Sequence, residues 1–377
     1  MSAGGQVGLK SVYMRGGSSR ALFFHTDDLP GSVDDRDSWA PIFAAALGSP
    51  DPGGRQLDGL GGGISSLSKI AVIGPPTHPD ADVDYIFAQV AVKGTNVSYR
   101  GNCGNISAAV GPYAIDQGLV EVSDGEALVR IHHVASGKII HAHVQVENGQ
   151  AAVSGNFAIQ GVAGTGSPIR LDFLDPGGSA TGLLLPTGQA RQILMVDGRA
   201  LEVSLVDAAN PVVFVAADAL GMKGDEKPSD IDAAPGMLAL LDELRVAASL
   251  AMGVTKTQEE ARTLVPNLPL VAIVSAASQD ADIQVRMISA GQPHKATPLT
   301  GAMCLAVAAR LPGSVVADLV QQTGAGTLRI AHASGVLPVD AIVENGIARS
   351  VTVFRTARRL MEGNVLVPAT ALGRQPS

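Results

Sequence analysis

The sequence predicts an α+β protein built as a duplicated domain, and three features of the chain point that way. The first is an internal repeat. Ala21-Leu22-Phe23-Phe24 resembles Val212-Val213-Phe214-Val215, and Cys103-Gly104-Asn105-Ile106 resembles Thr300-Gly301-Ala302-Met303. Val134-Ala135-Ser136-Gly137 resembles His332-Ala333-Ser334-Gly335, and Val146-Glu147-Asn148-Gly149 recurs as Val343-Glu344-Asn345-Gly346. The offsets of 191, 197, 198 and 197 residues are nearly constant and keep one order. Second, each half carries a glycine turn that opens a helix. In the first half the residues after it, Ile106, Ala109, Val110, Tyr113 and Ala114, are apolar at helical spacing. Third, each half closes on alternating strands joined at Asn148-Gly149 or Asn345-Gly346, the dipeptide of a two-residue type I′ hairpin.

The elements follow in the same order in both halves. An apolar strand beside a Gly/Asn/Ser turn comes first, then alternating strands such as 83–92, then the glycine turn and helix, then hairpins such as 139–153. Residues 38–47 and 237–252 read as surface helices, and 268–277 as a buried strand. The Gly/Pro/Thr-rich stretch 177–191 marks the boundary, which gives halves 1–185 and 186–377. If the halves enclose a cleft, Cys103 and Thr300 come to facing helix mouths.

Composition narrows the function. A chain of 377 residues, 46% hydrophobic and 16% charged, is long enough for two packed cores and too apolar for disorder. A net charge of -8 without a basic, aromatic-studded stripe argues against nucleic acid as a partner. No apolar run reaches the roughly 18 residues of a spanning helix, and the N-terminus lacks the pattern of a secretion signal. Two cysteines make no disulfide framework, so a cytoplasmic location is expected. A homodimer is compatible with the sequence, which does not fix the oligomeric state.

The chemistry concentrates at Gly101-Asn102-Cys103-Gly104-Asn105. A cysteine at a helix mouth meets unpaired backbone N–H groups and the positive end of the helix dipole, which favour negative charge on sulfur and on a bound carboxylate. The other half has Thr300 at the matching place, followed by Gly301 and Ala302. Cys304, one turn further on, reads as a small buried hydrophobe. One thiol instead of an opposed pair disfavours a two-thiol racemase.

The second rich segment is DGLGGGISSLSK, residues 58–69. Its glycines allow close backbone approach and its serines, Ser65 and Ser66 among them, supply hydroxyls. It is neither a phosphate loop, having no Gly-Lys-Ser/Thr, nor a dinucleotide loop, because Ile64 stands where the third glycine belongs. Lys69 ends this loop at the start of an apolar strand. It reads either as a solvated lysine or as a desolvated general base with a lowered pKa. MRGGSSR, residues 14–20, offers Ser18, Ser19 and Arg20 to a carboxylate, or is an ordinary surface loop. Arg286 is open to the same two readings. The eight histidines show no metal-ligand spacing.

MRGGSSR, DGLGGGISSLSK, RGNCGNISAAVGPYAIDQGLV (100–120), TGAMCLAVAARLPG (300–313) and LMEGNVLVP (360–368) resemble the 2-methylaconitate cis–trans isomerase family, which includes 4-oxalomesaconate tautomerase and methylitaconate isomerase. The resemblance covers almost the whole chain. It implies a diaminopimelate-epimerase-like fold, two similar α+β halves each curving β-structure around a central helix. It further implies proton transfer by Lys69 and Cys103, no cofactor or metal, and a small unsaturated di- or tricarboxylate as substrate. Ser18 and Arg20 stand where the family usually has Thr and Lys, and the run 65–68 also departs from the family's pattern. These positions fall in the expected carboxylate cradle and so bear on substrate more than on reaction.

The expected reaction is a 1,3-proton shift through a dienolate-like intermediate, held by N–H groups of Gly104, Asn105, Gly301 and Ala302 as in an oxyanion hole. Asn102, Ser18, Ser19, Arg20, Ser65, Ser66, Arg286 and Thr300 are the candidate carboxylate ligands. Two other readings stand beside it: an amino-acid racemase or epimerase of the same fold, and a non-catalytic carboxylate-binding protein.

Overall fold

A computed structural model of the chain describes residues 5–99, 102–277, 280–289, 291–320 and 326–373. Two compact units emerge, Met1–Leu171 with Phe354–Ser377, and Asp172–Val353. They differ from the halves expected at 185/186, because the end of the chain returns to the first unit. The reason is strand pairing: Ala357–Pro368 runs antiparallel along Gln6–Gly16, from Pro368 opposite Gln6 to Ala357 opposite Gly16.

In unit 1 the strands are β1 (Gln6–Gly16), β2 (Ser19–His25), β3 (Lys69–Gly74), β4 (Val83–Val90), β5 (Val97–Ser98), β6 (Gly125–His133), β7 (Lys138–Glu147) and β8 (Gln150–Ala151). β1 and β2 are antiparallel, β2 and β3 parallel, β3 and β4 antiparallel, β4 and β6 parallel, β6 and β7 antiparallel. Two helices cover the two faces. Helix α1 (Ala40–Leu47) lies on the face of Leu22, Phe24, Ile70, Val72 and Ile86, with Phe43 and Leu47 fully buried there. Helix α2 (Gly104–Asp116) takes the opposite face, where the Tyr113 ring packs tilted against Phe23, 5.3 Å between centres. Every α2 residue from Ile106 to Ile115 is buried. A helix apolar on all sides is stable only when strands surround it. α2 contacts β1, β2, β3, β6, β7, β8 and the returning last strand.

Unit 2 repeats the plan. After Ile169–Leu174, which carries the chain from one unit to the next, come β10 (Gln192–Val196), β11 (Arg199–Ala208) and β12 (Asn210–Ala216), counting the connecting strand as β9. Helix α3 (Pro228–Ala233), α4 (Met237–Ala251), α5 (Gln258–Thr263), β13 (Leu270–Ser275), β14 (Ile283–Ser289), β15 (Gln292–Pro293), α6 (Leu299–Ala308), α7 (Val315–Leu319), β16 (Leu328–His332), β17 (Gly335–Glu344) and β18 (Ile347–Arg355) follow. The pairings β12/β13 parallel, β13/β14 antiparallel, β14/β16 parallel and β16/β17 antiparallel reproduce those of β2 to β7. All ten residues of α6 are buried.

The duplication extends to side chains. Asp82 accepts hydrogen bonds from the Arg130 backbone N–H at 2.7 Å and Nη2 at 2.7 Å. Asp282 accepts the same pair from Arg329 at 2.7 and 2.8 Å. Asn148 and Gly149 have φ of 54° and 73°, Asn345 and Gly346 52° and 75°, both residues positive in each turn as a type I′ hairpin requires. The helices expected at 38–47 and 237–252 and the buried strand expected at 268–277 appear as α1, α4 and β13.

Candidate active site

Unit 1 gathers the candidates of the first half around the start of α2. Lys69 is the first residue of β3, opposite Ala21 on β2 and Gln89 on β4. Side chains alternate along strands, so Ser19, Ala21 and Phe23 share one face with Lys69, Phe87 and Gln89. That is the face α2 covers. Lys69 is 8% exposed, and its Nζ donates to Gln89 Oε1 at 2.5 Å and lies 5.2 Å from the Phe87 ring centre. Its partners are therefore neutral. Gln89 cannot turn away, since its Nε2 donates to Ser68 O at 2.9 Å and Ser65 O at 3.1 Å.

Cys103 is the N-cap of α2 and is half-buried. Its Sγ lies 4.0 Å from Ser19 Oγ. Ser19 thus brings the thiol to β2, the strand on which Ala21 stands opposite Lys69. No side chain caps the helix, and the first intrahelical bond is Ser107 N–H to Cys103 O at 2.9 Å. Helix geometry leaves the N–H groups of Gly104, Asn105 and Ile106 without intrahelical acceptors. Asn102 Oδ1 is buried without a hydrogen-bond partner among the described residues. Gly101 lies outside the described residues.

The hairpin joining β1 and β2 presses onto this helix start. A Cβ on Gly17, whose φ is +51°, would fall 2.1 Å from Asn105 Oδ1, and one on Gly16 2.5 Å from Asn105 O. Only glycines permit this approach. Ser18 Oγ accepts from Asn105 Nδ2 at 3.4 Å. Arg20 packs over Tyr13, 5.5 Å from its ring centre, and its Nη2 approaches Gly62 of the glycine loop. Ser65 and Ser66 form a short 3₁₀ turn before Lys69, with Ser65 exposed and Ser66 half-buried.

Sequence reasoning missed Gln56, Gln89 and Arg355. Gln56 is 1% exposed, and its Oε1 accepts from Gly63 N–H at 2.9 Å and Ser68 Oγ at 2.7 Å. It props the glycine loop from beneath. Arg355 Nε donates to Asn105 Oδ1 at 3.1 Å. A charged residue in an apolar stretch, such as Arg355 after Val351-Thr352-Val353-Phe354, was the one available signal.

The candidates of the second half lie in unit 2 at matching places, with different chemistry. Thr300 is in the first turn of α6 and accepts from Asn210 Nδ2 at 3.4 Å, as Cys103 neighbours Ser19 in unit 1. Leu270 stands opposite Val212 where Lys69 stands opposite Ala21. α6 begins at Leu299, earlier than the sequence suggested, so Ala302 N–H already bonds Pro298 O at 2.9 Å and is not open to an anion. Gly301 is needed for packing, since a Cβ there would fall 2.5 Å from Met287 Sδ. Arg286 is 7% exposed, with Nε on Glu226 O at 2.6 Å and Nη1 on Val285 O at 2.9 Å. Burial lowers its pKa, against the carboxylates of Asp225 and Glu226. Cys304 is fully buried, and burial pushes its thiol well up. Among the described residues no group of three His, Cys, Asp or Glu could hold a metal ion, and no helix is long and apolar enough to cross a membrane.

Residues 6–368 match the family model described as PrpF protein. The 3-methylitaconate isomerase of Eubacterium barkeri is 41% identical, over 97% of this chain and 99% of its own. The 2-methyl-aconitate isomerase of Cupriavidus necator is 35% identical, over 97% and 98%. The crystal structure of a methylitaconate-delta-isomerase superposes with a TM-score of 0.86 at 40% identity, covering 98% of this chain and 97% of that one. A hydroxyproline epimerase from Agrobacterium vitis, at TM-score 0.56 and 11% identity over 97% and 98%, shares the epimerase-like fold.

Proposed function

The chain belongs to the PrpF family and is an isomerase, and from that premise we propose that it catalyses a 1,3-proton shift across the allylic system of a small unsaturated di- or tricarboxylate, such as 2-methylaconitate or 4-oxalomesaconate. One observation carries the reading. A buried lysine with neutral partners and a cysteine at an uncapped helix start meet the same strand, the lysine opposite Ala21 and the thiol 4.0 Å from Ser19 Oγ.

A proton on the carbon next to a C=C conjugated with a carboxylate is weakly acidic. Lys69 takes it, and the electron pair moves into a dienolate whose extra charge sits on carboxylate oxygens. The free N–H groups at the start of α2 meet that charge, fixed before the reaction and needing no reorientation. The Cys103 thiol then protonates the far end of the allylic system. The resulting thiolate and the Lys69 ammonium exchange their protons with solvent to reset the pair. Ser18, Ser19, Arg20 and Ser66 line the approach as carboxylate ligands. The chemistry needs two proton carriers and an anion cradle, and no cofactor.

A two-thiol racemase is the less favoured reading, because unit 2 has Thr300 where a second thiol belongs and Leu270 where a second lysine belongs. Proton NMR in D₂O with 2-methylaconitate, aconitate, methylitaconate, itaconate and oxalomesaconate tests the proposal. Deuterium entering an allylic carbon, with the double bond moved or inverted, is the expected result. Exchange at the Cα of an amino acid and none on the panel would overturn it.

A further inference from the structure

Arg355 is a cation buried without an anion, at the helix start that holds Cys103. Its side chain is 8% exposed. Nε donates to Asn105 Oδ1 at 3.1 Å and Nη1 to Phe354 O at 2.7 Å, while Nη2 has no hydrogen-bond partner among the described residues. Burial alone lowers its pKa to about 10; no carboxylate acts on it. Arg245, buried, sits on Asp242, and half-buried Arg310 on Asp340. Arg286, buried without an ion pair, has its Nε and Nη1 on backbone carbonyls and the carboxylates of Asp225 and Glu226 near it. A desolvated charge is tolerated where a counter-ion arrives.

The surroundings are built for such an arrival. Asn105, which holds the guanidinium, is the second residue of α2, so Arg355 reaches the turn whose N–H groups are free. Asn105 is itself fixed by Gly17 against its side chain and by Ser18 on its Nδ2. Arg15 ties the hairpin to the strand after Arg355, its Nη1 donating to Gly17 O and Thr356 O, both at 2.9 Å. A rigid fork with a free N–H edge suits a carboxylate, which it can meet with two parallel bonds.

We propose that Arg355, oriented by Asn105, is a substrate-binding and specificity-determining residue that pairs with one carboxylate of the substrate at the start of α2. It selects ionised diacids and triacids over their esters. This rests on the proposed function, since it assigns a ligand to that same site.

The test is calorimetric titration with tricarballylate, a saturated triacid that cannot isomerise, and with its monomethyl esters, alongside steady-state kinetics. Wild type is expected to bind the acid at least tenfold more tightly than each ester that blocks the paired carboxylate. Arg355→Gln is expected to lose at least tenfold in affinity for the acid, to abolish that acid-over-ester preference and to raise KM more than it lowers kcat. Arg355→Lys, which keeps the charge, is expected to recover part of the preference and covers the case in which Arg355→Gln does not fold. A purely structural arginine would lower the melting temperature in both variants and leave the preference intact, which overturns the inference. So does a wild type that binds acid and ester equally or not at all. Isomerisation with an unchanged preference in the variants removes the role of Arg355 and leaves the reaction standing. An Arg355-dependent preference with no exchange in D₂O does the reverse.

Discussion

Lys69 and Gln89 face each other across β3 and β4 with 2.5 Å between Nζ and Oε1, and the glutamine amide is pinned from behind by the carbonyls of Ser65 and Ser68. The buried amine is therefore aimed by a neutral acceptor, so it keeps its capacity to exchange a proton with a ligand. Lys69→Ala is expected to lower kcat by about 10²–10⁴-fold, the usual worth of a general base, with an unchanged circular-dichroism spectrum. Gln89→Leu removes the aim and keeps the amine, so a smaller loss in kcat is expected. A Lys69→Ala enzyme with wild-type turnover would show that another group takes the proton.

Cys103 and Lys69 are separable by isotope exchange. With the lysine as base and the thiol as acid, Cys103→Ala still forms the dienolate and returns a solvent deuteron to the carbon it came from. The variant is expected to wash deuterium into unconverted substrate while product formation falls by about 10²-fold or more. Lys69→Ala is expected neither to wash in deuterium nor to form product at an appreciable rate. NMR of recovered substrate reads both, and the opposite pattern would exchange the two roles.

Gly17 bears on the site through contact as well as conformation. Its φ of +51° would cost an alanine about 1–2 kcal/mol, and its Cβ would fall on Asn105 Oδ1. Gly149 has φ +73° with nothing within 4 Å of a Cβ. Gly17→Ala and Gly149→Ala are expected to share the conformational cost in thermal melts. Only Gly17→Ala is expected to raise KM, because only it displaces Asn105. Equal KM values in the two variants would dismiss the hairpin as part of the site.

Gln56 supports the glycine loop as Gln89 supports the lysine. Gln56→Ala leaves the Gly63 N–H without its acceptor and Ser68 with one bond fewer. A loss of about 1–3 kcal/mol is expected for a buried partner so removed, read as a lowered denaturation midpoint. Activity should fall as well, since Ser68 precedes Lys69. Neither glutamine was legible in the sequence, because a glutamine's role is set by what folds against it. The same holds for Arg355, which reaches Asn105 across 250 positions of the chain. What could be read was local or repeated: the cysteine at a helix start, the lysine at a strand start, the Asn-Gly turns and the duplicated order. The return of the last strand to β1 left no such mark, because it joins opposite ends of the chain.

The duplicated Asp–Arg pairs make acid stability a test of the repeat. Hydrogen bonds from Arg329 hold the Asp282 carboxyl below its ordinary value of 3.8. At Asp82 burial pushes the carboxyl up and is outweighed by the hydrogen bonds and charge of Arg130, so the net shift is also downward. A carboxyl with a depressed folded value contributes its full stability above the unfolded value and loses it as the pH falls through the folded one. Both pairs should therefore support the fold above about pH 4 and fail below it. The arginines are 49% and 44% exposed, so solvent screening keeps each contribution small. Asp82→Asn and Asp282→Asn are each expected to lower the melting temperature at pH 7 and to flatten its fall between pH 5 and pH 3. An equally steep fall in both variants would place the acid sensitivity on other carboxylates.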